Sequence, residues 1–139
     1  MDEQTSIPTN VLNNQAVNQS KILVVEDDPF VSNLLIKNLL SAGYSVINAV
    51  DGQKALTMLE TERPQVILLD LLLPGLDGFE VLKKIKANPE TSKIPVFILS
   101  NLGSQDDINK ALQLGATDYI IKANFTLTEI VERIKTVLK

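Results

Sequence analysis

Acidic residues follow two separate apolar runs in this sequence. Glu26, Asp27 and Asp28 stand directly after one run, and Asp70 ends another. An aspartate that closes a segment destined for burial is costly unless some partner uses its charge. Carboxylates packed together also repel one another unless a cation neutralises them, and a small carboxylate cluster suits Mg²⁺, which keeps several waters and bridges to phosphate oxygens. The acidic residues therefore predict Mg²⁺ as a cofactor.

A hydroxyl and an ammonium group follow two later apolar runs. Ser100 ends one of them and Lys122 follows the other. Both groups are suited to bind an anion rather than a metal. A carboxylate nucleophile, a metal, a lysine and a hydroxyl together are typical of phosphoryl transfer to an aspartate. Taken singly, Asp70 is readily a turn cap, Ser100 a loop hydroxyl and Lys122 a solvated side chain, so the chemical interpretation depends on their joint placement.

Composition excludes several other kinds of chemistry. The 139 residues contain no cysteine and no histidine, so disulfides, thiolate nucleophiles, imidazole bases and the usual zinc ligands are absent. The net charge of -4 predicts no nucleic-acid partner and no anionic membrane partner. The sequence has neither a signal-peptide pattern nor 18 consecutive apolar residues, so we expect a soluble cytoplasmic protein.

Short apolar runs alternate with helical patterns along the chain, which predicts a parallel sheet with crossover helices. We expect a first helix from Pro29 to about Leu40, with Phe30, Leu34 and the pair Leu39/Leu40 on its buried side. We expect a second helix from Asp51 to Glu62. Asp28 and Asp77 are predicted to cap helices, and Thr126 with Glu129 to form a capping box for the last one. The predicted strands lie at residues 22–25, 44–49, 66–69, 96–99 and 119–121.

These elements favour a flavodoxin-like α/β fold. We expect a doubly wound five-stranded parallel sheet in the order 2-1-3-4-5, with helices on both faces. Its binding site should lie outside the carboxyl ends of the strands, between the first and third. Residues 1–20 are predicted to be a polar, disordered tail, and residues 21–139 a single domain with no second domain after it.

The motifs VVEDDP, DLLLPGLDG from Asp70, Ser100, and DYIIK ending at Lys122 together resemble the receiver domain of two-component response regulators, of the stand-alone, chemotaxis-regulator-like type. The likeness covers about residues 21–139. It implies that Asp70 is the phosphoacceptor and that Mg²⁺ is held by Glu26, Asp27, Asp70 and the backbone carbonyl of Leu72. It also implies that Ser100 turns toward the phosphoryl group, that Tyr119 switches with Ser100, and that Lys122 contacts the phosphate.

The resemblance implies a switch rather than an enzyme. A sensor histidine kinase or histidine phosphotransfer protein would donate the phosphoryl group, and the face built from the fourth helix, fifth strand and fifth helix would then bind a target protein or a second copy of the chain. A phosphorelay intermediate and a phosphate sink remain open. Two other classes are disfavoured. A Mg²⁺-dependent phosphohydrolase would need an aspartate where this sequence has Leu72, and a flavodoxin-like cofactor carrier would need a glycine-rich phosphate loop, which does not follow the first strand here.

The sequence departs from the family pattern in two places. Ala123 follows Lys122 where the family usually has a proline joined by a cis bond, although a cis bond without proline costs about 2.5–4 kcal/mol. We expect the phosphate contact of Lys122 to be retained, either with the cis geometry kept at the cost of strain or with a trans bond from which the lysine approaches differently. Asn101 stands where the family favours a small residue, and its effect on the lifetime of the phosphoryl group is left open.

Overall fold

The computed structural model describes residues 20–138. The predicted tail, apart from Ser20, lies outside the described residues. The strands are β1 (Lys21–Val25), β2 (Ser45–Ala49), β3 (Val66–Leu69), β4 (Val96–Ser100) and β5 (Asp118–Ile121). The helices are α1 (Pro29–Ser41), α2 (Gly52–Met58), α3 (Gly78–Ala87), α4 (Gln105–Gln113) and α5 (Leu127–Lys135), and a single 3₁₀ turn covers Lys122–Asn124.

All of the strands pair in parallel, in the order β2-β1-β3-β4-β5. The fold prediction is therefore confirmed. Strand β3 is uniformly apolar and β1 is apolar after Lys21; both lie in the interior of the sheet and are covered on both faces, as such runs require.

Each face of the sheet has its own apolar core because successive strand residues point to opposite sides. Leu23 and Val25 of β1 pack on the side covered by α2 and α3. Ile22 and Val24 pack on the other side, against buried residues of α1 and α5. The two layers hold the sheet rigidly and leave the carboxyl ends of the strands as the edge where polar groups collect.

Side-chain caps begin the helices where the sequence predicts them. The Asp28 carboxylate accepts a hydrogen bond of 2.9 Å from the Phe30 amide at the start of α1. Asp77 caps α3 in the same way. Thr126 and Glu129 form the predicted capping box of α5. The capping predictions are confirmed, and they explain why Asp28 belongs to α1 rather than to the acidic cluster.

The predicted buried side of α1 is largely wrong. Phe30, Leu34 and Leu40 are 71%, 37% and 54% exposed, whereas Leu35 and Leu39 are fully buried. Of the predicted set only Leu39 faces the core. The helix carries apolar residues on two faces, so periodicity alone does not determine which face packs on the sheet.

The second helix is also shorter than predicted. It ends at Met58 instead of Glu62. The amides of Glu60 and Thr61 donate to the carbonyls of Thr57 and Met58, three residues earlier, which is the tightened bonding that closes a helix. Leu59 nevertheless stays buried at the helix end, as its apolar character indicates.

Candidate functional site

The register of β1 and β3 brings two carboxylates side by side. Val25 pairs with Leu69, so the next residues, Glu26 and Asp70, leave adjacent strands at the same level. The Asp70 amide donates to the Val25 carbonyl at 3.1 Å, which extends the pairing to the aspartate itself. Glu26 and Asp70 are only 3% and 6% exposed. Two buried carboxylates at one position require a neutralising cation.

Lys122 supplies that cation in the structure. Its Nζ lies 2.8 Å from Oε1 of Glu26 and 3.0 Å from Oδ2 of Asp70. Burial acts to lower the pKa of Lys122, but the hydrogen bonds to Glu26 and Asp70 and the charges of these carboxylates outweigh it and raise that pKa above its usual value of 10.5. The lysine is therefore firmly cationic and bridges β1 and β3 from the end of β5.

Asp27 completes an acidic cluster at the mouth of this site. One carboxylate oxygen from each of Glu26, Asp27 and Asp70 lies within 4.8 Å of the other two, and Asp27 is exposed where the other two are buried. Hard carboxylate oxygens are the ligands that Mg²⁺ prefers, and a cluster open to solvent leaves positions for the waters that it retains. The donor set thus fits the predicted cofactor.

The loop after Asp70 packs tightly around the phosphoacceptor candidate. The Leu72 amide donates to Oδ1 of Asp70 at 3.0 Å, and the Leu72 side chain is exposed. A Cβ atom on Gly78 would stand 2.4 Å from Cα of Leu71 and 2.6 Å from the carbonyl oxygen of Asp70. Only glycine fits there, so the start of α3 presses on the backbone of Asp70. The metal-binding role of the Leu72 carbonyl stays a prediction.

Ser100, Leu102 and Tyr119 form a hydrogen-bonded series beside the acidic cluster. The Leu102 amide donates to Oγ of Ser100 at 3.3 Å, and the Tyr119 hydroxyl donates to the Leu102 carbonyl at 2.5 Å. Ser100 is fully buried at the end of β4. The structure therefore brings the two predicted switch residues together through the peptide groups of Leu102.

The environment of Tyr119 keeps its hydroxyl protonated. Burial raises the pKa of Tyr119, and the negative charges of Asp107 and Asp70 raise it further, while a hydrogen bond with Ser100 acts in the opposite direction. A protonated hydroxyl is the form that can donate to the Leu102 carbonyl.

Of the two geometries left open for the bond after Lys122, the structure has the trans one. None of the peptide bonds in residues 20–138 is cis, so Lys122 and Ala123 are joined in trans. Without proline the trans form is favoured by about 2.5–4 kcal/mol. The lysine still reaches Asp70, because the 3₁₀ turn that begins at Lys122 starts directly at the end of β5. Asn101 is exposed at the start of the β4–α4 loop.

Two contributors to the site were missed from the sequence. The backbone of Leu102 links Ser100 to Tyr119, and a backbone role has no side-chain signature. Gly78 directly follows the helix-capping Asp77 and lies eight residues after Asp70, and a glycine in that place is a signal for close backbone approach. The other predicted side chains, Glu26, Asp27, Asp70, Ser100, Tyr119 and Lys122, gather at this edge of the sheet.

Within residues 20–138, no helix is both long enough and apolar enough to cross a membrane.

Comparison with known proteins gives a consistent family. The family model described as the response regulator receiver domain matches residues 22–135. The chain is 39% identical over 119 residues to the DNA-binding dual master transcriptional regulator RpaA of Synechocystis sp., covering 86% of this chain and 49% of RpaA. The chain spans about half the length of the curated relatives it matches. Since such relatives are transcriptional regulators by name, the comparisons lend no support to the prediction that nucleic acid is not a partner.

Solved structures agree with this result. The Mn²⁺-bound form of response regulator Rcp1 matches with a TM-score of 0.77 at 34% identity, covering 84% of this chain and 92% of Rcp1. The chemotaxis protein CheY4 of Vibrio cholerae matches with a TM-score of 0.80 at 27% identity, covering 86% of this chain and 99% of CheY4. With the site geometry and the family match over most of its length, the chain belongs to the response regulator receiver domain family.

Proposed function

We propose that this chain accepts a phosphoryl group on Asp70 from the phosphohistidine of a sensor histidine kinase or a histidine phosphotransfer protein. The observation that carries the proposal is the position of Lys122, whose ammonium lies 3.0 Å from Asp70 within an acidic cluster suited to Mg²⁺. A nucleophilic carboxylate, a positive charge beside it and a hard-metal site are the parts that phosphoryl transfer to an aspartate needs.

In the transfer step, a carboxylate oxygen of Asp70 forms a bond to phosphorus while the phosphorus–nitrogen bond of phosphohistidine breaks. The imidazole nitrogen keeps the electron pair of the broken bond. The Leu72 amide bound to Oδ1 orients the carboxylate, and Lys122 offsets part of the charge on the incoming group.

Mg²⁺ would be held by Glu26, Asp27, Asp70 and the carbonyl of Leu72, and when bound it neutralises charge shared between the carboxylates and the phosphoryl oxygens. The Mn²⁺-bound structure of Rcp1 supports a divalent ion in a related protein. The ligand chemistry of the three carboxylates in this chain supports the same class of ion.

The phosphorylated aspartate would carry about 1.5–2 negative charges and three strong acceptor oxygens. Lys122 then exchanges its contact with Glu26 for the phosphoryl oxygens. The Ser100 side chain turns so that its hydroxyl donates to the same oxygens, and the displacement of Oγ weakens the hydrogen bond that it accepts from the Leu102 amide. Because Leu102 also accepts from Tyr119, the change passes to β5 and the loop before α4.

The output would be a population shift of the face formed by α4, β5 and α5 toward a state that binds a target protein, or a second copy of this chain. Self-catalysed transfer and later attack of water on the acyl phosphate, which breaks its oxygen–phosphorus bond, make this a resettable switch and not an enzyme acting on external substrates. The exposed apolar side chain of Leu72, where a phosphohydrolase would have an aspartate, supports this choice.

We propose that this receiver domain acts in the cytoplasm and signals through phosphorylation-dependent protein contacts. A phosphorelay intermediate or a phosphate sink is the second candidate, because either role uses the same Asp70 chemistry. The match covers 49% of RpaA, and the rest of RpaA has no counterpart in this chain. The output of this protein is therefore tested on the protein itself.

Phosphotransfer profiling tests the proposal. The protein is incubated with a panel of autophosphorylated histidine kinases and phosphotransfer proteins, and partners are then captured on the beryllofluoride-treated and untreated forms. We expect rapid transfer from a small subset of donors, and a protein captured only on the treated form. A beryllofluoride-treated form that captures nothing, together with a phosphorylated form that passes its phosphoryl group to a histidine, would favour the relay. No transfer from any donor would contradict the proposal.

A further inference from the structure

The helix that follows the Ser100 loop is the one least anchored by burial. Among the helices of residues 20–138, α4 has a single fully buried residue, Ala111, whereas α3 and α5 have several. A helix with few buried apolar contacts opens at a low free-energy cost. Its position therefore depends more than that of α3 or α5 on contacts made by exposed and partly buried side chains.

One such contact joins α4 to α3. The ammonium of Lys110 lies 4.3 Å from the centre of the Phe79 ring, over its face. A lysine at this distance from an aromatic ring is attracted by the negative face of the ring, with an energy that rises when the pair is partly shielded from water. The Phe79 ring is half-buried, and it packs against the apolar core on the α2–α3 side of the sheet.

Phe79 is also rigidly connected to the phosphoacceptor loop. It follows Gly78, whose amide donates to the Leu71 carbonyl at 3.1 Å and whose Cα has no room for a side chain against Asp70 and Leu71. The ring therefore sits on a helix start that is fixed to the backbone of Asp70. Lys110 lies on the helix that begins five residues after Ser100, on the other side of the site.

We propose that the Lys110–Phe79 contact is a latch that holds α4 in its unphosphorylated position. Only the consequence of the latch for signalling rests on the proposed function. There, a change at Ser100 displaces α4 against the Lys110–Phe79 contact, so this contact contributes to the free-energy difference between the unphosphorylated and phosphorylated states. The latch depends on the positive charge of Lys110, since the Phe79 ring attracts the ammonium group. A straight apolar side chain of the same length would lack this attraction.

Hydrogen exchange of the unphosphorylated protein tests the latch without any phosphoryl chemistry. Lys110→Met keeps the length of the side chain and removes the charge, and Lys110→Arg keeps the charge. We expect exchange of the α4 amides to rise about 2- to 5-fold in Lys110→Met and in Phe79→Leu, and to stay at the wild-type rate in Lys110→Arg. Lys37→Met, an exposed lysine on α1, is the matched control and should leave α4 unchanged.

The double variant Lys110→Met/Phe79→Leu distinguishes a latch from two unrelated effects. For a latch, the double variant exchanges about as fast as either single variant, because both remove the same contact. Additive effects, an unchanged α4, or a Lys110→Arg variant as fast as Lys110→Met would overturn the proposal. Exchange rates in α5 serve as the internal measure of global unfolding, so a variant that merely loosens the fold is recognised.

A second readout separates this proposal from the function itself. If the latch opposes activation, Lys110→Met should be phosphorylated about 2- to 5-fold faster by a small-molecule phosphoryl donor than wild type, since binding and conformational change are linked. Failure of wild type to be phosphorylated would contradict the proposed function while the exchange data still decide the latch. Phosphorylation of wild type with an unchanged rate in Lys110→Met would contradict the latch as a regulator.

Discussion

The ammonium of Lys122 lies 3.0 Å from the carboxylate of Asp70, although 52 residues separate them in the chain. The same nitrogen lies 2.8 Å from Glu26. Lys122 thus neutralises part of the charge of the two buried carboxylates, and its ammonium is close enough to Asp70 to contact a phosphoryl group there.

Replacement of Lys122 by methionine should separate its two roles. The variant leaves Glu26 and Asp70 buried without a cation, so we expect a loss of about 1–3 kcal/mol in the free energy of unfolding without metal. Saturating Mg²⁺ should recover most of this loss and bind more tightly than to wild type, because no lysine competes. Urea denaturation and Mg²⁺ titration measure both effects, with Lys37→Met as the control. Weaker Mg²⁺ binding in Lys122→Met would contradict the competition.

Tyr119 should make stability depend on pH in the alkaline range. Its pKa is raised in the folded protein above the usual value of 10.0, so its contribution is fully present below pH 10.0. The contribution is lost as the pH rises through the folded-state pKa, because the unfolded chain ionises first. Wild type should therefore lose more stability above pH 10.0 than Tyr119→Phe does. Lys122 is present in both proteins, so its contribution to the pH dependence cancels when their stabilities are compared. Stability curves that stay parallel above pH 10.0 would contradict a raised pKa of Tyr119.

The corrected orientation of α1 has a direct consequence for stability. Leu35→Ala removes a fully buried side chain and should cost about 2–5 kcal/mol in the free energy of unfolding. Leu34→Ala removes a side chain at the surface and should cost less than about 1 kcal/mol. Urea denaturation of the pair, which differs by one position in the same helix, measures the difference. Equal losses would contradict this orientation, and a larger loss for Leu34→Ala would mean that the buried face is the one predicted from the sequence.

Gly78 should prove essential for the position of Asp70. A methyl group there meets Leu71 at 2.4 Å and the Asp70 carbonyl at 2.6 Å, so Gly78→Ala must shift the acceptor loop. We expect a loss of about 1–3 kcal/mol in stability together with slower phosphorylation. Gly103→Ala is the control, since its nearest neighbour is the end of the Ile121 side chain at 3.4 Å. Normal phosphorylation of a folded Gly78→Ala protein would show that the loop tolerates the shift.

The strands and caps could be predicted because their signals are local. A uniformly apolar run as short as residues 66–69 favours a buried strand over a helix, and Asp28 before Pro29 is placed to cap the helix that follows. The buried face of α1 could not be chosen, since Phe30 and Leu34 on one face compete with Leu35 and Leu39 on another, and only packing on the sheet decides between them.

The sequence predicts which side chains gather at the site, but it does not predict the contacts that they make there. Topology requires residues after β1, β3, β4 and β5 to meet at one edge, and Glu26, Asp70 and Lys122 do so. The contact of Lys122 with Glu26 could not be foreseen, because it depends on the reach of a flexible chain. The link from Ser100 to Tyr119 through Leu102 uses backbone atoms, which every residue type has.

The central claim is that Asp70 is the phosphoacceptor, and mass spectrometry tests it most directly. Wild type, Asp70→Asn and the exposed control Asp106→Asn are incubated with a small-molecule phosphoryl donor and Mg²⁺, and each is then treated with hydroxylamine. We predict that wild type and Asp106→Asn gain one phosphoryl group, located at Asp70 by peptide mapping and removed by hydroxylamine, and that Asp70→Asn gains none. An Asp70→Asn protein that still gains a hydroxylamine-labile phosphoryl group, or a wild type that gains none, would contradict the account.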